Sequence, residues 1–174
     1  MVMRLVAFLS VLSLSAAFVG CGGSPGPAAS SGPSAEGAKY VLAAEPADAK
    51  GVKALKADVK DGDDVVIEGR IGGDVKPWIE NQAAFLVVDK SLKPCNEIPG
   101  DSCETPWDYC CDTDQLPSCK ALVKIVDENG KAIATDARKL LGVKELQTVV
   151  IRGKAKKDEA GNLTVLANGV FVRK

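Results

Sequence analysis

Five of the six cysteines, Cys95, Cys103, Cys110, Cys111 and Cys119, lie in one stretch, CNEIPGDSCETPWDYCCDTDQLPSC. Thiols at that density cross-link as disulfides, hold a soft metal, or exchange electrons. Pro94, Pro99, Gly100, Pro106 and Pro117, with few aliphatic residues between them, leave the stretch unable to hold a shape by burial alone. Each disulfide there would contribute on the order of 2–4 kcal/mol, mainly by restricting the unfolded chain. Adjacent Cys110 and Cys111 should take different partners, because a bond between neighbours strains the ring it closes. Cys95 and Cys103 are the expected partners and Cys119 the expected free thiol, although the sequence leaves the connectivity open. A four-thiolate site for zinc or Cu(I) is the rival. Seven residues separate the first two cysteines and six precede the adjacent pair, where zinc sites bring Cys-x2-Cys knuckles. Disulfides are therefore the expectation, with no metal and no cofactor. The Cys-x-x-Cys of thioredoxin-like redox chemistry is missing.

The chain has no histidine, which excludes Ser-His-Asp and Cys-His catalysis, histidine-ligated metals and a histidine pH switch. Its 22 basic and 23 acidic residues leave a net charge of −1, with no global pull toward nucleic acid or anionic lipid. Candidate ligand-binding residues are Trp78, Trp107 and Tyr109, amphipathic aromatics on loops, and the cations Arg70, Arg152 and Lys154. Trp107 and Tyr109 can equally be the miniature core of the cysteine stretch. With Lys156, Lys157 and the terminal Arg173-Lys174, the cations can form a basic stripe, though a solvated hairpin edge guarded by lysines accounts for them more simply. The acidic sets Asp61, Asp63, Asp64, Asp74 and Asp101, Asp108, Asp112, Asp114 lack the spaced loop of a calcium site. Gly69-Arg70-Ile71-Gly72-Gly73 opens no helix and so is no phosphate cradle.

Residues 1–20 carry one charge at Arg4 and an apolar run from Leu5 to Val19, the anatomy of a secretory signal too short for a membrane span. The ending Phe18-Val19-Gly20-Cys21 resembles the lipobox of bacterial lipoproteins, with Phe18 where an aliphatic residue is usual. That resemblance implies acylation of Cys21, which becomes the first mature residue and anchors the chain to a membrane of the cell envelope. Gly22 rather than Asp follows the cysteine, a feature of lipoproteins not retained at the inner membrane; which membrane is left undecided. Residues 21–38 are so rich in Gly, Pro, Ser and Ala that they read as a flexible tether. In an exported protein the clustered cysteines meet an oxidising compartment.

Beyond a helical or irregular lead-in, 39–63, the chain reads as a frame of short strands over 64–174. Asp64–Gly72 alternates, with Gly69 expected to bulge or bend it. Ala83–Asp89 is apolar on both faces and so central, and the cysteine insert, 90–120, follows. Ala121–Asp127 resumes the strands. Thr135 is the expected cap of a short helix to Leu141, with Gly142 as its left-handed stop. Thr148–Ala155 and Leu163–Val172 form a hairpin through Gly161-Asn162, and a bulge at Asn168-Gly169 is needed for Val170 and Val172 to join the face of Leu163, Val165 and Ala167. Three strands, a helix and two strands resemble the OB-fold: VVIEGRIGG is similar to its first strand, AAFLVVD to its second and VVIRGKA to its fourth. The resemblance implies a mainly β, five-stranded Greek-key barrel with one short helix and the insert between strands 2 and 3. A Greek-key sandwich is the alternative.

The expected function is that of a lipid-anchored, non-catalytic binding or structural module, its disulfide-stapled loop meeting an envelope protein, glycan or small ligand. An oligonucleotide-binding OB module is the first alternative, combining a basic groove with stacking aromatics, and a thiol-based metal-binding or redox protein is the second.

Overall fold

Alternation carries the core. In a computed structural model that describes residues 32–174, every second residue of the strand β2 (Asp64–Ile71) points inward, burying Val65, Ile67 and Ile71. The leader 1–20, Cys21 and most of the tether lie outside the described residues. The other long strands are β4 (Ala84–Val88), β5 (Lys120–Ile125), β6 (Thr148–Lys157) and β7 (Leu163–Val172). β2 pairs antiparallel with β6, β6 with β7, β5 with β4 and β4 with β2, while β7 lies parallel to β5. The ring β2-β6-β7-β5-β4 thus closes on itself as a five-stranded Greek-key barrel of OB-fold-like order.

Two short strands, β1 (Lys50–Gly51) and β3 (Trp78–Ile79), extend the sheet beside β2 and β4. They change the count. The insert falls between the fourth and fifth strands in chain order rather than the second and third, although it still joins the second and third of the barrel's long strands. The lead-in packs onto the barrel: its helix α1 (Val52–Asp58) buries Val52 and Leu55 in the main core, together with Tyr40 and Val59.

The last strand bulges where its pattern requires. Arg152 pairs with Gly169 and Gly153 with Ala167, leaving Asn168 as the extra residue, and Val170 then returns to the core face with Leu163, Val165 and Ala167. Gly69 does not bulge. The β2–β6 register runs unbroken through it, and its missing side chain instead admits Val87 and Val52 of the crossing elements. A second helix, α2 (Leu116–Cys119), ends the insert, and the third, α3 (Ala137–Leu141), lies between β5 and β6. The cap of α3 is Asp136 rather than Thr135, because the Asp136 carboxylate accepts from the Arg138 amide at 2.8 Å. Gly142 ends the helix at φ 68°.

Asp89, just past β4, ties lead-in to barrel. Its side chain accepts from the Lys53 amide in the first turn of α1 and from the Ser91 amide, each at 2.8 Å. Burial raises its pKa, but these hydrogen bonds outweigh burial and hold it below the ordinary 3.8. A lowered folded pKa means stability that is present above the unfolded value and lost as pH falls through the folded one. Asp89→Asn keeps one acceptor oxygen of two; we expect a loss of about 1–3 kcal/mol at pH 7 and a shallower acid limb below about pH 4 in urea melts. Val149, fully buried on the face of Ile151, gives a second check: Val149→Asp should cost several kcal/mol, read as a lowered thermal midpoint.

Candidate functional site

The insert is seated on the barrel through two glycines. β2 runs out into Gly72, whose amide donates to the Leu86 carbonyl, and Gly73, whose amide donates to the Trp107 carbonyl at 2.7 Å. A Cβ on Gly72 would stand 2.5 Å from that Trp107 oxygen. Gly73 adopts φ +94°, and a Cβ there would meet Val88 at 2.7 Å. Only bare backbone lets the insert lie this close. The Trp107 indole then donates to the Val75 carbonyl, Lys56 of α1 donates to Pro117 at 2.6 Å, and Arg70 pairs with Glu97 at 2.8 Å.

Beneath these contacts Tyr109, Leu92, Leu116 and Cys119 cover the outer face of Val88 as a small core of their own. Tyr109 sits at φ +59°, a left-handed position uncommon for a tyrosine, and is 1% exposed. Its hydroxyl is buried with no hydrogen-bond partner among the described residues. Burial pushes the phenol up to about 12, with the Arg70 guanidinium pulling the other way.

On the outer side the thiols converge. Cys110 Sγ stands 3.7 Å from Cys95 Sγ and 3.9 Å from Cys103 Sγ, and Asp108 Oδ1 lies 3.9 Å from Cys95 Sγ. One ligating atom from each of these four residues lies within 4.8 Å of all the others. Cys95, Cys111 and Asp101 form a second, overlapping set, with the Cys111 thiol donating to Asp101 at 3.3 Å. Among the described residues no disulfide joins these five cysteines. Cys119 stands apart, fully buried at the end of α2.

Two carboxylates that the sequence offers only as members of a rejected calcium set, Asp101 and Asp108, organise the cluster. Asp101 accepts from the Cys103 amide and Asp108 from the Cys110 amide, so each Asp-x-Cys segment makes the same turn. That repeated spacing was the available signal. Burial works against the Asp108 carboxylate, but the Cys110 amide and the Thr105 hydroxyl hold its pKa below the ordinary value. Contact with Cys95 and Cys103 pushes the Cys110 thiol well up, and contact with Asp101 raises that of Cys111.

The other candidates are dispersed. Trp78 packs tilted on Phe85 with ring centres 5.8 Å apart, lies 5.4 Å from the Arg138 guanidinium and donates its indole to Glu145. Arg152 donates to Asn168 at 3.1 Å and Lys154 pairs with Asp64 at 2.8 Å, so these cations and Arg70 are each engaged by an acid or amide. Arg173 bridges Glu45 and Glu68. Asp63 and Asp74 accept amides of their own turns, from Lys60 and Lys76, and Asp61 accepts the amide of Lys157 at the end of β6. Among the described residues no helix is long and apolar enough to cross a membrane.

Compared with known proteins, the chain matches no family model, no curated protein and no solved structure.

The orphaned phenol makes the seat testable. Tyr109→Phe should leave the unfolding free energy unchanged or raise it by up to about 1 kcal/mol, read in the thermal midpoint, because no hydrogen bond is lost. Tyr109→Ala should cost about 3 kcal/mol by emptying the small core. A clear drop for Tyr109→Phe would mean that the hydroxyl has a partner.

Proposed function

We propose that this chain is a lipid-anchored, non-catalytic protein of the cell envelope, in which the barrel is a rigid mount and the cysteine insert the binding element. One observation carries the reading: the insert has its own small core and a backbone seat on Gly72 and Gly73, while three of its thiols and the Asp108 carboxylate gather within 4.8 Å of one another, from buried Cys95 to exposed Cys110. A loop that only connected β4 to β5 would need neither seat nor cluster. Sites built on rigid elements hold their geometry more tightly than free loops do. The anchor rests on the apolar run, small residues and lone Cys21 that open the sequence. Two disulfides, Cys103 with Cys110 and Cys95 with Cys111, are the alternative state of the same four thiols, and a chain that carries them holds no metal there.

The oligonucleotide reading draws on barrel order alone. A single-strand groove needs free cations beside exposed aromatic faces, whereas Arg70, Arg152 and Lys154 are paired and Tyr109 is buried.

Intact mass of the membrane-extracted chain tests the anchor: we expect loss of residues 1–20 and added acyl mass on Cys21, with Cys21→Ser moving to the soluble fraction. A Cys21 without lipid sinks the anchor. In the same preparation, micromolar and salt-sensitive binding of a short single strand would replace the leading function with the oligonucleotide one.

A further inference from the structure

We infer that Cys95, Cys103, Cys110 and Asp108 form a binding site for a thiophilic metal ion, with zinc(II) the ion that three sulfurs and one oxygen suit. The inference rests on the reading of the insert as the binding element and names its ligand.

Geometry is the first support. In a tetrahedral site with metal–sulfur bonds of ~2.3 Å, neighbouring sulfurs stand about 3.8 Å apart. Cys110 Sγ lies 3.7 Å from Cys95 Sγ and 3.9 Å from Cys103 Sγ. Cys110 is thus shared between two thiols at nearly equal distance. A disulfide on Cys110 can satisfy only one of those two contacts, whereas a common centre uses both together with Asp108 Oδ1. The mixed donor set favours zinc over Cu(I), which prefers sulfur throughout.

The second support lies in how the ligands are held. Asp108 is oriented through both oxygens, Oδ1 by the Cys110 amide at 2.9 Å and Oδ2 by the Thr105 hydroxyl at 2.8 Å. Such outer contacts position metal ligands before the ion arrives. Asp108 and Cys110 flank Tyr109, whose left-handed backbone and burial anchor both to the barrel. Cys95 is buried, Cys103 half-buried and Cys110 exposed, which leaves the ion a path from solvent. Spacing argues no further against the site, because folding supplies the convergence that Cys-x2-Cys knuckles supply locally. On binding, the three thiols release three protons and the carboxylate, already ionised, releases none.

The test uses the full-length chain extracted from membranes without chelator or reductant. Elemental analysis should give one zinc per chain, and Cys103 and Cys110 should resist alkylation until a chelator removes it. After stripping under reducing conditions, zinc titrated against a chromophoric chelator should rebind 1:1. Cys110→Ser and Cys103→Ser should weaken binding at least 100-fold and Asp108→Asn about tenfold. Cys111→Ser and Cys119→Ser should change it less than twofold. Cobalt(II) should give the intense visible bands of a tetrahedral thiolate site in the parent chain and lose them in Cys110→Ser. Far-UV circular dichroism and the thermal midpoint check that the Cys103 and Cys110 variants fold, as these side chains lie outside the core. A Cys103–Cys110 or Cys95–Cys110 disulfide in the extracted protein overturns the site, even where the reduced chain then takes up zinc. So does zinc binding that Cys110→Ser leaves intact or that Cys111→Ser abolishes. The anchor reading fails separately, through an unlipidated Cys21, and a chain that carries lipid but no zinc overturns this inference alone.

Discussion

The short seam that closes the barrel is the constraint on which the rest depends. β2 meets β4 through only two residue pairs, Arg70 with Val88 and Ile71 with Val87, yet without that contact the sheet would stay open, its long outer strands covered only by two-residue β1 and β3. The seam does not stop with the strands. Gly72 and Gly73 carry it on by donating to Leu86 and to Trp107, so the closing edge of the barrel is completed by backbone of the insert. Barrel closure and insert docking are one structural event, held by the same run of chain.

That coupling explains the composition of β4. Phe85 and Val87 fill the barrel, while Val88 faces outward under Tyr109, Leu92 and Leu116, so both faces of a five-residue strand are covered. An apolar outer face on so small a barrel would otherwise be exposed. The insert is therefore a second layer on the domain, and it brings the thiols to a place fixed relative to the barrel.

Electrostatics at the surface is local. The acids and bases are nearly equal in number, and they are arranged as short-range pairs such as Arg70 with Glu97 and Lys154 with Asp64 rather than as a field of one sign. Exposed pairs of this kind contribute little to stability. Their effect is to occupy the cations that a nucleic-acid groove would need free. Among the described residues the thiol and carboxylate cluster differs in kind, because it presses ligating groups within 4.8 Å of one another.

Local patterning alone determined the five long strands, the helix stop at Gly142 and the bulge at Asn168, because each is written in side-chain alternation or in a backbone preference that needs no distant partner. The Thr135 cap and the Gly69 bulge were misjudged for the opposite reason. Thr135 and Asp136 are both competent caps, and which one caps α3 depends on where the turn places its oxygen; Gly69 answers to a crossing strand that is remote in sequence. The cysteines divided the same way: their type and density announced cross-linking or metal chemistry and an approach of Cys110 and Cys111 to Cys95 and Cys103, but spacing argued against a metal site. Only the tertiary structure, by seating Trp107 on Gly73 and burying Tyr109 in a left-handed turn, swings Asp108 and Cys110 toward Cys95 and Cys103. Distances between side chains that stand far apart in the chain are set by the fold around them.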